Sequence, residues 1–330
     1  MSAPDVFNSD LFSLRSLTLA IRKLVYTPTR LTELNLFNSR GIDTTSVFID
    51  IGQNSVNLVA ASERGSTPAT VVGDKYESRP FKTRHLSQRS NMLAEEVQNV
   101  RLFGSEDTTA GVEMKVNELL AKHVTNLALT KENHMLGAVK GQIIDADGST
   151  VLLDLHAEMG TSAQTLDFAF TTATTKIQNT VVALKRKIDE QLGGTPYTSI
   201  HVLCGSAWFD AFTGHPKVEE SWLRFSGSSN LRDDLRRGFT YGGVTFEEYR
   251  GGAGVTIATD EAWAIPMGVS DLFIARYAPA DYMETVNTIG LDYYAKSEPM
   301  RMNKGVEIET QTNPLFLCTR PNAVINLTKS

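Results

Sequence analysis

The stretch TTAGVEMKVNELLAKHVTNLALTKENHMLGAV, residues 108–139, decides how the rest of the chain is read. Val112, Val116, Leu119, Leu120, Val124, Leu127, Met135, Ala138 and Val139 recur mainly at threes and fours, the spacing of an apolar helix stripe. Asp107, Thr108 and Thr109 offer capping oxygens at the start, and Gly141 offers a stop. Some thirty residues rising 1.5 Å each give a rod of about 45 Å, far longer than an ordinary helix. Such a rod is not covered by one small domain, so it is expected to act as a spine across an extended molecule. A hairpin follows at once, GQIID (141–145) and TVLLDLH (150–156) joined through Ala146, Asp147 and Gly148.

Upstream, residues 1–40 mix Ser, Asn and Thr with scattered hydrophobes and the prolines Pro4 and Pro28, and predict an extended arm. Alternation begins at Val47, Ile49 and Ile51, resumes in VNLVAA (56–61), crosses ERGSTPAT (63–70) and continues in VVGDKYESRPFKTR (71–84). Two strand-like runs around a Gly/Ser/Pro tip predict a hairpin loop. Its arms carry Gln53, Asn54, Asp74, Lys75, Glu77 and Arg79, too polar to pack as a core sheet alone, so it must lean on something else. Downstream, Ile177, Val181, Leu184, Ile188 and Leu192 predict a helix over 174–192, ended by Gly193-Gly194 and Pro196. Short strands (SIHVLC, VTFEEY, DLFIARY) and helical pieces (SAWFDAF, KVEESWLRF) then predict an α/β module over 195–300. VEIETQT (306–312), LFLCTR (315–320) and VINL (324–327) close the chain with strands that return to the first region.

Composition narrows the classes. Of 330 residues, 41% are hydrophobic and 21% charged, which suits about two globular domains and excludes disorder or a fibre. The net charge is −6, which argues against a dedicated nucleic-acid binder. Residues 1–101 are slightly basic, with 12 basic and 10 acidic side chains, and the remainder is acidic. Cys204 and Cys318 are far apart in apolar surroundings and read as buried, reduced thiols. No apolar run approaches the length of a membrane span and no leader pattern opens the chain, so a soluble protein made in the cytoplasm is expected.

No catalytic set emerges. The histidines 85, 123, 134, 156, 201 and 215 show no metal-ligand spacing and are expected to be solvated or capping, with no metal or cofactor. Cys204-Gly205-Ser206 lacks the pattern of a nucleophile elbow. The run Arg250 to Gly254 lacks the Lys-Ser/Thr of a phosphate loop and reads as a flexible connection. Glu219-Glu220 and Asp233-Asp234 read as solvated pairs. Lys75, Arg79, Lys82, Arg84 and Arg89, interleaved with Tyr76 and Phe81, suit either nucleic acid or a protein interface. An arm, a loop that cannot pack alone and a spine are parts that need neighbours.

The C-terminal third carries FTYGGVTFEEYRG (239–251), EAWAIPMGVSDLFIARYAPADYMETVNTIG (261–290), YYAK (293–296) and KGVEIETQTNPLFLCTRPNAVINL (304–327). The ordered set Glu248-Tyr249, Ile265-Pro266, Tyr277 to Asp281, Val286 to Gly290, Asn313-Pro314-Leu315 and Arg320-Pro321 resembles the tailed-bacteriophage major capsid protein E family, typified by the lambda head protein. The resemblance spans nearly the whole chain and is weakest over the first 45 residues. It implies an α+β Hong Kong 97-type capsid fold: an N-terminal arm (1–44), an extended β-hairpin loop (45–85), a peripheral domain with the spine helix (86–155, joined by strands in 301–330) and an axial domain (156–300). It implies a virion subunit that assembles with itself as hexamers and pentamers into an icosahedral head around double-stranded DNA. A portal and a decoration protein are further expected partners. A separate scaffolding protein is expected too, since no long charged N-terminal extension is present, and no membrane is involved.

On this reading Arg64, Lys75, Arg79, Lys82 and Arg84 of the loop contact a neighbouring subunit, and Arg15, Arg22 and Lys23 face DNA without reading sequence. The residue types for a Lys–Asn cross-link exist (Lys75 or Lys82; Asn303, Asn313 or Asn326; Glu307), but non-covalent contacts are expected. The alternatives are an encapsulin-like nanocompartment shell and a cytoplasmic α/β enzyme using Asp210, His215 or Asp281.

Overall fold

The spine exists. In the computed structural model, which describes residues 13–23, 29–52, 76–98, 108–225, 235–252 and 254–329, one helix runs Thr108–Lys140 over 33 residues. Gly141 ends it at φ +83°, where a Cβ would strike the His156 ring. Gly137 lets the following hairpin, Gln142–Ile144 with Val151–Asp154, lie directly on the helix, because a Cβ there would meet Ile143 Cα at 2.8 Å.

Around the C-terminal half of the spine stands a mixed six-stranded main sheet. Its order is Gln164–Asp167, Ile325–Thr328, Glu261–Met267, Ser199–Cys204, Val244–Glu248, Phe239–Tyr241. The helix Ile177–Leu192 buries all five residues of its expected stripe, and the left-handed Gly193 ends it. The helices Ser206–Thr213 and Pro216–Phe225 follow the strand of Cys204. Aromatic rings fill this core: Phe212 and Phe246 have centroids 4.2 Å apart, and Phe168 meets Trp208 edge-on at 5.2 Å. Edge and offset contacts of this kind add to the burial itself.

A linking sheet of Asn38–Gly41, Phe273–Tyr277 and Pro314–Cys318 leads into a lateral sheet of Tyr294–Pro299, Gly305–Thr312 and Leu86–Leu93. On the lateral sheet rests the N-terminal half of the spine. Val116, Leu120, Val124 and Leu127 pack there with Met92, Tyr293, Ala295, Val306 and Ile308 in a second, smaller cluster. The stripe expected from 116 to 127 therefore faces a sheet of the same chain.

Three expectations need correction. The N-terminal stretch is not simply extended: Leu14–Lys23 is a helix whose Leu17 and Ile21 are buried in the smaller cluster, followed by a short helix Arg30–Glu33 and the strand Asn38–Gly41. Leu14, Leu17 and Ile21 stand at helical spacing, but a run of ten residues is too short to hold a helix by propensity, and packing supplies the rest. Strand pairing runs on across residue 300. Residues 273–299 pair on the spine and linking side, whereas Ile325–Thr328 belongs to the main sheet. Several histidines are interior rather than solvated or capping. His123, His134 and His215 are buried, and His123 bridges the Ser90 hydroxyl (2.6 Å) and the Thr310 hydroxyl (3.0 Å). The glycine run is packed, not loose, since a Cβ on Gly252 would meet Leu129 of the spine at 2.3 Å.

Candidate functional site

The hairpin base is Ser46–Gly52 against Tyr76–Lys82, in the register Val47 to Phe81 and Ile49 to Arg79. Alternation gives it two faces. Val47, Ile49 and Phe81 turn inward onto the larger core, so the loop leans on its own subunit at the base. Phe48, opposite Pro80, turns outward and is 69% exposed. Arg64 and Lys75 lie outside the described residues. The Arg79 guanidinium donates to the main-chain oxygen of Glu158 and stands 3.8 Å from its carboxylate. Arg84 donates to the Leu152 carbonyl through its guanidinium and to the Pro314 carbonyl through its main-chain N–H. Both arginines thus have partners within the chain, because a helix C-terminus and a hairpin present carbonyls that need donors. Lys82 is exposed.

Of the expected DNA-facing residues, Arg15 is exposed on the outer side of the helix Leu14–Lys23. The side chains of Arg22 and Lys23 are outside those described. Among the candidate cross-link residues, Asn313 is buried, its side chain bonded to His85 and to the Pro279 carbonyl, and Glu307 is held by Arg89 at 2.5 Å.

A polar junction that the sequence did not disclose ties the N-terminal stretch to both layers. Arg30 grips Glu247 with two donors, Nε at 2.5 Å and Nη2 at 2.8 Å, and His201 Nε2 meets the same carboxylate at 2.9 Å. Burial pushes the Glu247 carboxyl upward, but the bonds from His201 and Arg30 together hold it below the usual carboxylate value. At the next residue, the Leu31 N–H donates to the Glu132 carboxylate of the spine (3.0 Å), which also accepts from the Tyr249 hydroxyl (2.8 Å). Next to it Lys131, driven down by burial and partly restored by its ion pair with Asp292, lies over the Tyr277 and Tyr293 rings. A cavity of about 150 Å³ opens there between Leu36, Phe37, Lys131, Met135 and Tyr293.

The sequence signatures prove to be architectural. Tyr277 to Asp281 interlocks with Asn313: the Ala278 N–H donates to the Asn313 carbonyl (3.0 Å), and the Asn313 amide donates to the Pro279 carbonyl (2.9 Å). Arg320 donates to the Leu192 carbonyl and the Thr195 hydroxyl, capping the end of the helix Ile177–Leu192. Tyr249 is the residue that holds Glu132. Nothing in this arrangement is a reacting centre. Burial pushes the Cys318 thiol up to about 12 and Cys204 well above the ordinary thiol value. His215 is buried against the Thr172 carbonyl, and no hydrogen bond joins its side chain to that of Asp210 or Asp281 among the described residues. No group of three His, Cys, Asp or Glu able to hold a metal occurs among the described residues.

Solved structures share the architecture. A protein of an E. coli CFT073 prophage described as a capsid protein superposes with a TM-score of 0.60 at 13% identity, covering 96% of this chain and 99% of that one. The capsid of Ralstonia phage GP4 gives 0.54 at 9% identity, with 93% of each chain covered. The mature capsid of bacteriophage PhiM1 gives 0.53 at 13%, covering 93% of this chain and 88% of that one. These likenesses define the class: a Hong Kong 97-type capsid fold. The family model described as Phage major capsid protein E matches residues 13–329, and the chain belongs to that family. It is similar along its length to the major capsid protein of Salmonella phage Felix O1, at 24% identity with 96% of both chains covered. The major capsid protein of Pseudomonas phage KPP10 is 26% identical, covering 86% of this chain and 88% of its own. The chain is thus a structural protein of the virion that forms an icosahedral head; the nanocompartment-shell and enzyme alternatives give way to it.

Proposed function

We propose that copies of this chain join as hexamers and pentamers, through the extended 45–85 loop, into a head that encloses packaged double-stranded DNA. The observation that supports this is the two-faced hairpin base. Its inner face is anchored on the larger core, and its outer face presents Phe48 beside Pro80 to solvent. An apolar side chain held outward on an anchored strand pair contributes nothing to its own subunit and is stabilised by burial against a neighbour. In this reading 1–44 serves as the arm, 86–155 with the returning strands as the peripheral domain, and 156–300 as the axial domain. Arg64, Lys75 and Lys82, with Arg79 and Arg84 at the base, reach the neighbour. Arg15, Arg22 and Lys23 meet DNA through phosphate alone, giving weak, salt-dependent contact. Assembly takes place in the host cytoplasm with a scaffolding protein and a portal, and a decoration protein completes the shell.

The test is electron microscopy of the chain expressed alone and with its scaffold, beside a variant lacking residues 60–70. Closed particles from the full chain, and a folded but unassembled variant, are expected. Normal shells from the deletion would refute the role of the loop.

A further inference from the structure

We propose that the loop Asp281–Ile289 of one copy docks on the hairpin tip Arg301–Lys304 of another, a second self-contact separate from the 45–85 loop. The inference rests on the shell-subunit reading and adds to it a named pair of surfaces.

The loop is rigid and yet apolar on its outside. Thr285 is buried, and its hydroxyl donates to the Ala280 carbonyl at 2.6 Å. The Thr288 hydroxyl donates to the Thr285 carbonyl at 2.7 Å, the Gly290 N–H to the Ile42 carbonyl at 2.8 Å, and the Tyr282 hydroxyl to Glu309 at 3.1 Å. Held in this way, the loop presents Met283, Val286 and Ile289 at 89%, 58% and 70% exposure. Single exposed hydrophobes are ordinary, but three on one fixed loop mark a contact surface. Because the loop is already ordered, little entropy is lost when it is covered.

The tip is built the same way with the opposite charge. Between the strands Tyr294–Pro299 and Gly305–Thr312 the chain turns through Met302 at φ +61° and Asn303 at φ +50°. Left-handed turn positions favour Gly, Asn and Asp, so methionine at 89% exposure there is strained and serves no folding need. Arg301 and Lys304 flank it, both exposed and without an ion pair among the described residues. Asp281 and Glu284, both exposed, flank the apolar side chains of the loop, with Glu284 2.7 Å from Lys296. A cationic methionine tip thus matches an acidic apolar loop.

The two surfaces do not satisfy each other within one copy. The loop attaches where Lys296 pairs with Glu309, and the strands run on through Pro299 and Val306, about 10 Å further, before the tip begins. Unlike surfaces of identical chains make a heterologous contact, which closes into a ring when the rotation allows.

Charge reversal in the full chain tests the pairing. Asp281→Lys with Glu284→Lys reverses the loop, Arg301→Glu with Lys304→Glu reverses the tip, and the four together restore opposite signs. The reversed tip should keep the melting temperature of the unsubstituted chain, since exposed sites without a partner contribute little to folding. The reversed loop should lower it slightly by breaking the Glu284–Lys296 pair, and each should lower the yield of closed particles roughly tenfold or more. The fourfold variant should recover most of that yield. Met302→Gly gives an independent reading. It relieves the left-handed position, so the subunit should melt at the same or a higher temperature while particle yield falls. Particles formed equally well by the reversed pairs and by Met302→Gly, or no recovery in the fourfold variant, would overturn the contact and leave the shell reading standing. Failure of the unsubstituted chain to form particles both alone and with its scaffold would overturn the shell reading and this contact with it.

Discussion

The two hydrophobic clusters along the spine helix are built differently. The larger gathers the main sheet, the helix Ile177–Leu192 and a set of fully buried rings, Trp208, Phe168, Phe212 and Phe246. The smaller holds Leu17, Ile21, Met92, four spine residues and four residues near or on the lateral sheet, with Tyr293 as its one aromatic ring. It depends on pieces brought from residues 14–23, 86–93, 114–127 and 293–308, so each contact closes a long stretch of chain. The exposed apolar loop and the strained tip belong to this same side of the molecule. The contrast teaches that one end of the spine is complete within the subunit, whereas the other is thinner and leaves surface for copies to cover.

The largest effect should come from breaking the larger cluster. Phe212→Ala removes a ring that contacts Trp208, Phe239 and Phe246 and should cost about 3–5 kcal/mol. Denaturant unfolding by fluorescence and by circular dichroism should shift together. Leu120→Ala, at 0% exposure in the smaller cluster, should cost about 2–4 kcal/mol; no measurable change would remove the packing of the spine on the lateral sheet. Leu17→Ala should cost about 2 kcal/mol and act locally, speeding hydrogen exchange in 14–23 and 294–299 while leaving the main sheet unchanged. Exchange that accelerates everywhere would show that the two clusters unfold as one.

Acid should separate the clusters more finely. Burial first, and Lys122 second, hold the His123 pKa below its ordinary 6.5. The unfolded chain therefore binds the proton more readily than the folded one. The stability from His123 is fully present above the ordinary value and is lost as pH falls through the lower folded value. His123→Gln should flatten the decline of the melting temperature between about pH 7 and pH 5. His134, also held down chiefly by burial, leaves a residual decline. Glu247 is depressed below 4.5, so its contribution is present above that value and is lost only at more acidic pH. Glu247→Gln should change the profile below about pH 4.5.

What could be read in the sequence was local. The spine and its glycine stop, the helix ended by Gly193, and the C-terminal strands follow periods of 3.6 or 2 within a few turns of chain. The hairpin base was legible for the same reason. The helix Leu14–Lys23 was missed although Leu14, Leu17 and Ile21 stand at helical spacing, because the run is only ten residues long and Leu17 and Ile21 pack against Ala295 and Ile308, nearly three hundred residues away. The junction was hidden by the same distance: Arg30 and Glu247 are separated by 217 positions, and Leu31 and Glu132 by 101. A glutamate in VTFEEY, next to Phe246 on a strand whose Val244 and Phe246 are buried, was the one local sign of it. For the arginines at 79 and 84, charge marked them as needing partners, but only the fold shows those partners to be carbonyls of the same chain.

The most direct measurement is amide hydrogen exchange compared between the free subunit and the assembled shell. The account predicts unchanged protection in the main sheet, at 199–204, 244–248 and 261–267, and increased protection in the 46–52 and 76–82 strands, the 281–289 loop and the 301–304 tip. Protection gained mainly in the main sheet, with the loop and tip as open in the shell as in the free subunit, would contradict it.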